Sequence, residues 1–109
     1  MGNVGIPNEI RKQLAERIDA FNTQVLKDPD VSYLPRYRGT FLYLDRSAYG
    51  HTSPIYRLRY TGTIDRWTFA IFKYSSDRYD PDEWMPPGHG HLDGTVEGVM
   101  KAGMEAYPP

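Results

Sequence analysis

Residues 37–74 read YRGTFLYLDRSAYGHTSPIYRLRYTGTIDRWTFAIFKY, and three runs within this segment determine the architecture. The runs cover Tyr37–Asp45, Ile55–Thr61 and Trp67–Tyr74, and their aromatic and β-branched residues are typical of β-strands. Short links with Gly and Asp turn residues separate them, and strands joined by short links pair antiparallel with their neighbours in sequence. The segment therefore predicts a three-stranded antiparallel meander.

Apolar residues at helical spacing flank this meander on both sides. Before it, an apolar residue recurs every three or four positions from Ile6 to Val25, which predicts a helix over about Pro7–Leu26. After it, Asp93 is predicted as the N-cap of a second helix. The apolar stripe of that helix consists of Val96, Met100, Met104 and Tyr107. The predicted fold class is α+β with the order α-β-β-β-α, as one domain over residues 1–109, with both helices on the same face of the sheet.

The composition fits a small cytoplasmic domain. A chain of 109 residues suits one domain with one core. The absence of cysteine excludes disulfides and thiolate metal sites, and it suits a reducing compartment. No apolar run approaches the roughly 20 residues that span a bilayer, and the N-terminus lacks the apolar core of a signal peptide. We therefore expect neither membrane insertion nor export.

Charge is distributed unevenly along the chain, although the net charge is only −1. Residues 1–35 carry four Lys/Arg and five Asp/Glu, a net charge of −1. Residues 36–78 carry eight and three, a net charge of +5, and residues 79–109 carry one and six, a net charge of −5. The basic middle and the acidic tail either neutralise each other within the fold or face different partners.

The basic middle contains the first candidate binding surface. On the second predicted strand, Arg57 and Arg59 share one parity, so both guanidiniums are expected to point outward together. The candidate binding residues are Tyr56, Arg57, Arg59, Lys73 and Tyr74. Arginines bind phosphates and exposed aromatic rings stack on unpaired bases, so such a face is a candidate surface for a single-stranded nucleic acid. The alternative is that the aromatic residues form the core and the arginines pair with the acidic tail.

A histidine pair is the second candidate site. His89 and His91 lie two residues apart with Asp93 close behind, and two imidazoles plus a carboxylate are a recurring zinc or iron ligand set. The alternative is a hydrophilic Pro/Gly loop with solvated histidines, and the flexible glycines beside them argue against a preformed metal site. The sequence contains no nucleophile elbow, Walker loop, HExxH or dinucleotide-binding glycine motif, so we expect neither a catalytic centre nor a cofactor.

Trp84, within DEWMPPG (82–88), is the third candidate. An exposed tryptophan can anchor a partner protein, because aromatic residues dominate interface energetics. The alternative, which we expect, is that the indole folds back and closes an edge of the core, since two helices leave part of a sheet uncovered.

The order of helix, three strands and helix resembles that of double-stranded-RNA-binding domains. Gly50-His51 falls in the first interstrand link, where that family contacts the minor groove, and GHGHLDG (88–94) leads into the second helix. The family's lysine cluster at the start of that helix is missing, and Asp93, Glu97 and Gly98 occupy the positions instead. The resemblance therefore implies a shared topology, and no function is transferred from it.

The sequence favours a non-catalytic binding or adaptor module that acts through protein–protein contacts. A protein partner or self-association, including a homodimer formed at exposed sheet edges, is the first expectation. Single-stranded nucleic acid bound by the Arg/Tyr face is the alternative. A small metal-dependent enzyme at His89 and His91 is the third hypothesis.

Overall fold

The described part of the chain forms five strands and two helices. The computed structural model describes residues 5–109. Helix α1 spans Asn8–Phe21 and continues into a π-helical turn, Asn22–Leu26, and helix α2 spans Val96–Ala106. The strands are β1 (Val31–Arg38), β2 (Phe41–Ala48), β3 (His51–Arg59), β4 (Thr68–Lys73) and β5 (Arg78–Asp80), and a short 3-10 turn at His89–His91 precedes α2. Within residues 5–109, no helix is both long and apolar enough to cross a membrane.

All five strands lie in one antiparallel sheet, in the order in which they occur along the chain. The predicted α+β class and the meander are therefore confirmed, but the count of three strands is wrong. The three-stranded order behind the resemblance to double-stranded-RNA-binding domains is wrong for the same reason.

The first predicted strand, Tyr37–Asp45, is in fact the end of one strand and most of the next. Gly39 and Thr40 form a two-residue turn between β1 and β2, and Gly39 has a φ of 59°, which glycine adopts without steric cost. Arg38 pairs with Phe41 across this turn. The apolar and aromatic residues on both sides of the turn made the two strands read as one.

A second tight hairpin joins β2 and β3. Tyr49 and Gly50 both have positive φ, 52° and 89°, as a type I′ turn requires. The segment SAYGHTSP (47–54), predicted as a link, therefore lies almost wholly within strands. The other missed strand, β5, is only three residues long and lies after the last predicted strand, Trp67–Tyr74, where no further strand was predicted.

The helices largely follow the prediction. Pro7 directly precedes α1, and Lys27, in the left-handed region at a φ of 57°, ends the π-helical turn that follows it. The N-cap predicted at Asp93 is wrong. Thr95 caps α2 by accepting a hydrogen bond from the N–H of Gly98 at 3.0 Å, while Asp93 accepts bonds from the Thr95 N–H at 3.0 Å and hydroxyl at 2.6 Å. Asp93 thus stabilises the turn that orients the cap, one step before it.

Both helices pack on the same face of the sheet, as predicted, and the core lies between them and the strands. Its members include Leu14, Ile18 and Phe21 of α1, Val96, Val99 and Met100 of α2, and Tyr33, Leu42, Leu44, Tyr56, Leu58 and Ile71 of the sheet. A β-bulge at Leu44/Asp45 adds Ile55 to this set, because the extra residue turns Ile55 inward. Ile55 therefore faces the helices, although simple alternation along the strand would place it on the outward side with Arg57.

Helix α2 lies very close to the sheet at its C-terminal half. The Tyr33 hydroxyl donates to the Met100 carbonyl at 2.7 Å, and a Cβ on Gly103 would come within 2.8 Å of Ile55 Cγ2. Arg46, which is 6% exposed, donates to the carbonyls of Gly103 and Tyr107. A buried cation at the C-terminal carbonyls complements the helix dipole and holds the end of α2 against β2.

Candidate binding face

The side of the sheet opposite the helices is open. Side chains alternate between the two sides of a strand, so the residues that flank the buried Leu42, Leu44 and Leu58 point away from the helices. The register places Tyr43 opposite Arg57, Arg57 opposite Ala70, and Phe41 opposite Arg59. We define the open face as Arg36, Arg38, Phe41, Tyr43, Arg57, Arg59, Thr68, Ala70, Phe72 and Tyr79.

Aromatic rings form a continuous row across the open face. Tyr43 and Tyr79 have ring centroids 5.5 Å apart in an edge-to-face arrangement, and Tyr79 meets Phe72 in the same way at 5.1 Å. Phe41 continues the row on the other side of Tyr43 at 6.2 Å. Edge-to-face packing is a favoured geometry for such rings. Phe72 is buried within the row, whereas Phe41, Tyr43 and Tyr79 are half-buried.

Two arginines lie over the rings of this row. The Arg57 guanidinium carbon is 4.7 Å from the Phe41 ring centroid and 5.4 Å from that of Tyr79. Arg36 lies 4.8 Å from the Tyr43 centroid and also donates to both carboxylate oxygens of Asp45, at 2.5 and 3.1 Å. These bonds raise the pKa of Arg36. A guanidinium held over a ring has one flat surface facing outward, ready for stacking.

The open face is basic because most of its arginines lack a carboxylate partner. Among residues 5–109, no acidic side chain lies within ion-pair distance of Arg38, Arg57 or Arg59. Arg36, in contrast, is paired with Asp45. The alternative in which Arg57 and Arg59 pair with the acidic tail is therefore wrong for the described part of the chain.

The acidic tail pairs elsewhere. Glu97 accepts from Arg17 of α1 at 2.5 Å, and Glu83 lies 3.2 Å from Lys73. These pairs lie on the helix side or at the β5 edge of the sheet. These tail carboxylates therefore do not neutralise the arginines of the open face.

A shallow depression of about 190 Å³ lies on the open face between β2, β3 and β4. Its lining residues are Phe41, Arg57, Arg59, Thr68, Phe69, Ala70 and Pro81. Ala70 is the smallest of these residues and lies opposite Arg57 in the sheet. Phe72, the next residue on the same side of β4, contributes a whole ring to the open face. Ala70 contributes only a methyl group, so the surface is lower at its position.

The predicted binding residues divide between the two sides of the sheet. Arg57 and Arg59 lie on the open face as predicted. Tyr56 was placed in the binding set wrongly, because its side chain is fully buried on the helix side. Lys73 also points to the helix side, where it lies 3.2 Å from Glu83 and 3.9 Å from Asp80.

Tyr74 lies at the margin of the open face, where it is 50% exposed. Its hydroxyl donates to the Pro54 carbonyl at 2.7 Å, and its ring packs edge to face on Phe72 and Tyr107. Its role in binding stays a prediction.

The histidine pair does not converge with Asp93. His89 Nδ1 lies 3.2 Å from the Pro86 carbonyl, whereas His91 Nε2 lies 3.7 Å from a carboxylate oxygen of Glu105. Asp93 is engaged by Thr95, whose hydrogen bonds lower the pKa of that carboxyl. In the part of the chain that the structure describes, no group of three or more such side chains could hold a metal ion.

Trp84 does not close the core, so the expected inward fold of its indole is wrong. Its side chain is 74% exposed and the adjacent Met85 is 53% exposed. Pro86 is the buried residue of this segment and anchors it. The alternative reading of Trp84 as a partner anchor stays a prediction.

Sequence reasoning missed several members of the open face, above all Tyr79, Phe72 and Ala70. Tyr79 lies on β5, which is too short for a periodic signal. Phe72 and Ala70 share one parity of β4, and both parities of that strand are apolar in sequence. The usable signal was the parity of Arg57 and Arg59, which marks the outward side of the neighbouring strand.

Comparison with known proteins adds no relative to this picture. No protein-family model, no curated protein and no solved structure matches the chain.

Proposed function

We propose that the chain is a non-catalytic binding module that holds a single-stranded nucleic acid on its open face. The observation that carries this proposal is a set of three arginines, Arg38, Arg57 and Arg59, that have no carboxylate partner among residues 5–109 and lie beside a row of aromatic rings. Guanidiniums bind phosphates, and rings or flat guanidiniums stack on bases of any sequence.

The positions of the three arginines favour a nucleic-acid strand over a compact anion as the ligand. Arg38 lies at the end of β1, Arg59 at the end of β3, and Arg57 two residues further in. Neighbouring strands are about 4.8 Å apart, so the positive charge extends over two strand spacings, roughly 10 Å across the sheet. A chain of phosphates follows such a track, whereas a single small anion would meet only part of it.

The test is a binding titration of fluorescently labelled 12-residue single-stranded DNA and RNA at several salt concentrations. Each phosphate contact contributes about 0.7 to the slope of log K against log salt for single strands. Arg57→Ala with Arg59→Ala should weaken binding, and it should reduce the slope by about 0.7 if Arg59 alone contacts a phosphate or by about 1.4 if both arginines do. The matched control is Lys12→Ala with Lys101→Ala, which removes the same charge from exposed positions on the two helices. Equal losses in both double variants would count against the open face.

A protein partner is the second candidate, and the exposed Trp84 with Met85 favours it. Tryptophan is enriched at interface hot spots, and exposed neighbouring apolar side chains mark contact sites. Sedimentation velocity over a 100-fold concentration range tests self-association at this segment. Growth in mass that Trp84→Ala abolishes and Arg57→Ala leaves intact would support this candidate, while a constant mass would remove self-association from it.

A further inference from the structure

We propose that the depression between Phe41 and Pro81 is a subsite for one unpaired base of the bound strand, with Ala70 as the residue that makes room for it. This inference rests on the proposed function and adds the position at which the strand is fixed. It makes Ala70 a positioning and selectivity residue, although Ala70 carries no charge or polar group.

The size of the depression fits one ring. An enclosed apolar cavity of about 150 Å³ accepts a benzene molecule, and the depression measures about 190 Å³. Pockets for whole drug-sized ligands begin near 300 Å³, so this one is too small for a complete nucleotide cofactor. A ring that belongs to a longer ligand, with the rest of the ligand lying along the sheet, fits both limits.

The walls of the depression suit a base in particular. Phe41 supplies an aromatic wall, and Arg57 supplies a guanidinium whose position is fixed by the two rings beneath it. Thr68 is exposed at the margin and brings a hydroxyl that can donate or accept a hydrogen bond. Stacking surfaces with one polar group at the edge match a planar heteroaromatic ring.

Arg57 and Arg59 have different roles in this arrangement. Arg57 is half-buried and lies against rings, so it offers a flat stacking surface. Arg59 is exposed, has no carboxylate partner among residues 5–109, and lines the same depression. Its free guanidinium complements the charge of the phosphate that flanks the inserted base.

Ala70 controls the space. It is the cross-strand neighbour of Arg57, and the next residue on the same side of β4 is Phe72. A larger side chain at position 70 would occupy the depression and leave every charge on the open face in place. Base insertion can therefore be separated from phosphate attraction by substitution.

The experiment compares Ala70→Leu and Thr68→Leu, which fill the depression from its floor and its margin, with Ser47→Leu, which adds the same side chain to β2 outside it. Circular dichroism first establishes that each variant is folded; Thr68 is exposed, so Thr68→Leu serves if Ala70→Leu does not fold. The probes are oligo(dT) and an abasic strand of the same length, titrated at several salt concentrations. Stacking of one base corresponds to a factor of about 5 to about 150 in affinity.

The filled variants are Ala70→Leu and Thr68→Leu. If the subsite binds a base, both should lose affinity for oligo(dT) by a factor in that range with an unchanged salt slope, and Ser47→Leu should lose none. The abasic strand should bind the filled variants and the unmodified protein equally. If the filled variants bind oligo(dT) normally while Arg57→Ala with Arg59→Ala does not, the base subsite is refuted and the proposed function stands. If the unmodified protein binds no strand, or binds an acidic peptide more tightly than any strand, both proposals fail.

Discussion

Tyr33 and Tyr56 allow a matched test of the core, because both side chains are buried and only one hydroxyl has a partner. Their exposures are 1% and 0%. The Tyr33 hydroxyl donates to the Met100 carbonyl at 2.7 Å. The Tyr56 hydroxyl has no hydrogen-bond partner among residues 5–109. Tyr33→Phe and Tyr56→Phe therefore make the same chemical change in two different hydrogen-bonding environments.

The two substitutions should change stability in opposite directions. A buried hydrogen bond contributes a net of about 1 kcal/mol, and its loss at Tyr33 also leaves the Met100 carbonyl with one partner fewer, so Tyr33→Phe should cost about 1–2 kcal/mol. A buried polar group without a partner costs about 1–3 kcal/mol, so Tyr56→Phe should gain about 1 kcal/mol or more. The two variants should thus differ by at least about 2 kcal/mol.

Urea unfolding followed by the fluorescence of the buried Trp67 measures this difference. With an m-value of about 1–3 kcal/mol/M, a 2 kcal/mol difference separates the two midpoints by about 0.7–2 M. Unequal m-values would show that a substitution changed the unfolded state, so the comparison requires the slopes to agree. A cost for Tyr56→Phe as large as that for Tyr33→Phe would refute the reasoning and would indicate an enclosed water bound to the Tyr56 hydroxyl.

Three further predictions concern pH, packing and the sheet edge. Burial raises the pKa of Tyr33 from 10.0 to about 12 and also raises that of Tyr56. The free energy of unfolding should therefore be unaffected by these groups below pH 10 and should decline above it, by roughly 2–3 kcal/mol for Tyr33 between pH 10 and 12. Urea midpoints measured against pH should fall less steeply in the Tyr33→Phe/Tyr56→Phe double variant. Gly103→Ala should lower the free energy of unfolding by about 1–3 kcal/mol despite the higher helix propensity of alanine, because the new Cβ would overlap Ile55 and the Tyr33 hydroxyl. Thermal melts should show this loss and little effect of Gly90→Ala, where a new Cβ would have nothing within 4 Å. Asn22 and Pro35 leave no free backbone N–H at Tyr33 or position 35 on the outer edge of β1. Asn22→Ala with Pro35→Thr should therefore allow self-association at this edge, so that sedimentation depends on concentration; unchanged sedimentation would show that β1 is protected in another way.

The sequence predicted the part of the fold that depends on periodicity. The apolar spacing from Ile6 to Val25 located α1, and the alternation of Arg57 and Arg59 with Tyr56 and Leu58 identified the outward side of β3. These signals come from side-chain direction alone, which is fixed once an element forms. For the same reason, Tyr56 should have been left out of the binding set, since adjacent residues of a strand face opposite sides.

The parts that were missed depend on contacts between distant segments. The turn at Gly39-Thr40 is clear only when β1 and β2 are paired, because aromatic and apolar residues flank it on both sides. Strand β5 is stabilised by pairing with β4 rather than by its own three residues. The exposure of Trp84 follows from the burial of Pro86, and nothing in the local composition distinguishes which of the two anchors the segment.

The two edges of the sheet support the proposal that a partner binds at the open face. On β1, the side-chain amide of Asn22 accepts from the Tyr33 N–H at 2.8 Å and donates to the Tyr33 carbonyl at 3.0 Å, so the backbone of Tyr33 is already paired on its outer side. The backbone of Pro35, two residues further along β1, points to the same outer edge, and proline has no N–H to donate there.

An incoming strand would therefore find no free N–H at Tyr33 or Pro35 in the middle of β1, and β5 offers only three residues at the other edge. This argues against the homodimer expected at exposed edges. The helices cover one face, so the broad sheet surface that stays accessible in residues 5–109 is the one with Arg57 and the aromatic row. The proposed binding at this surface would leave the sheet's own hydrogen bonds intact, and its strength would depend on side chains such as Arg59 and Thr68, which are exposed and lie outside the core.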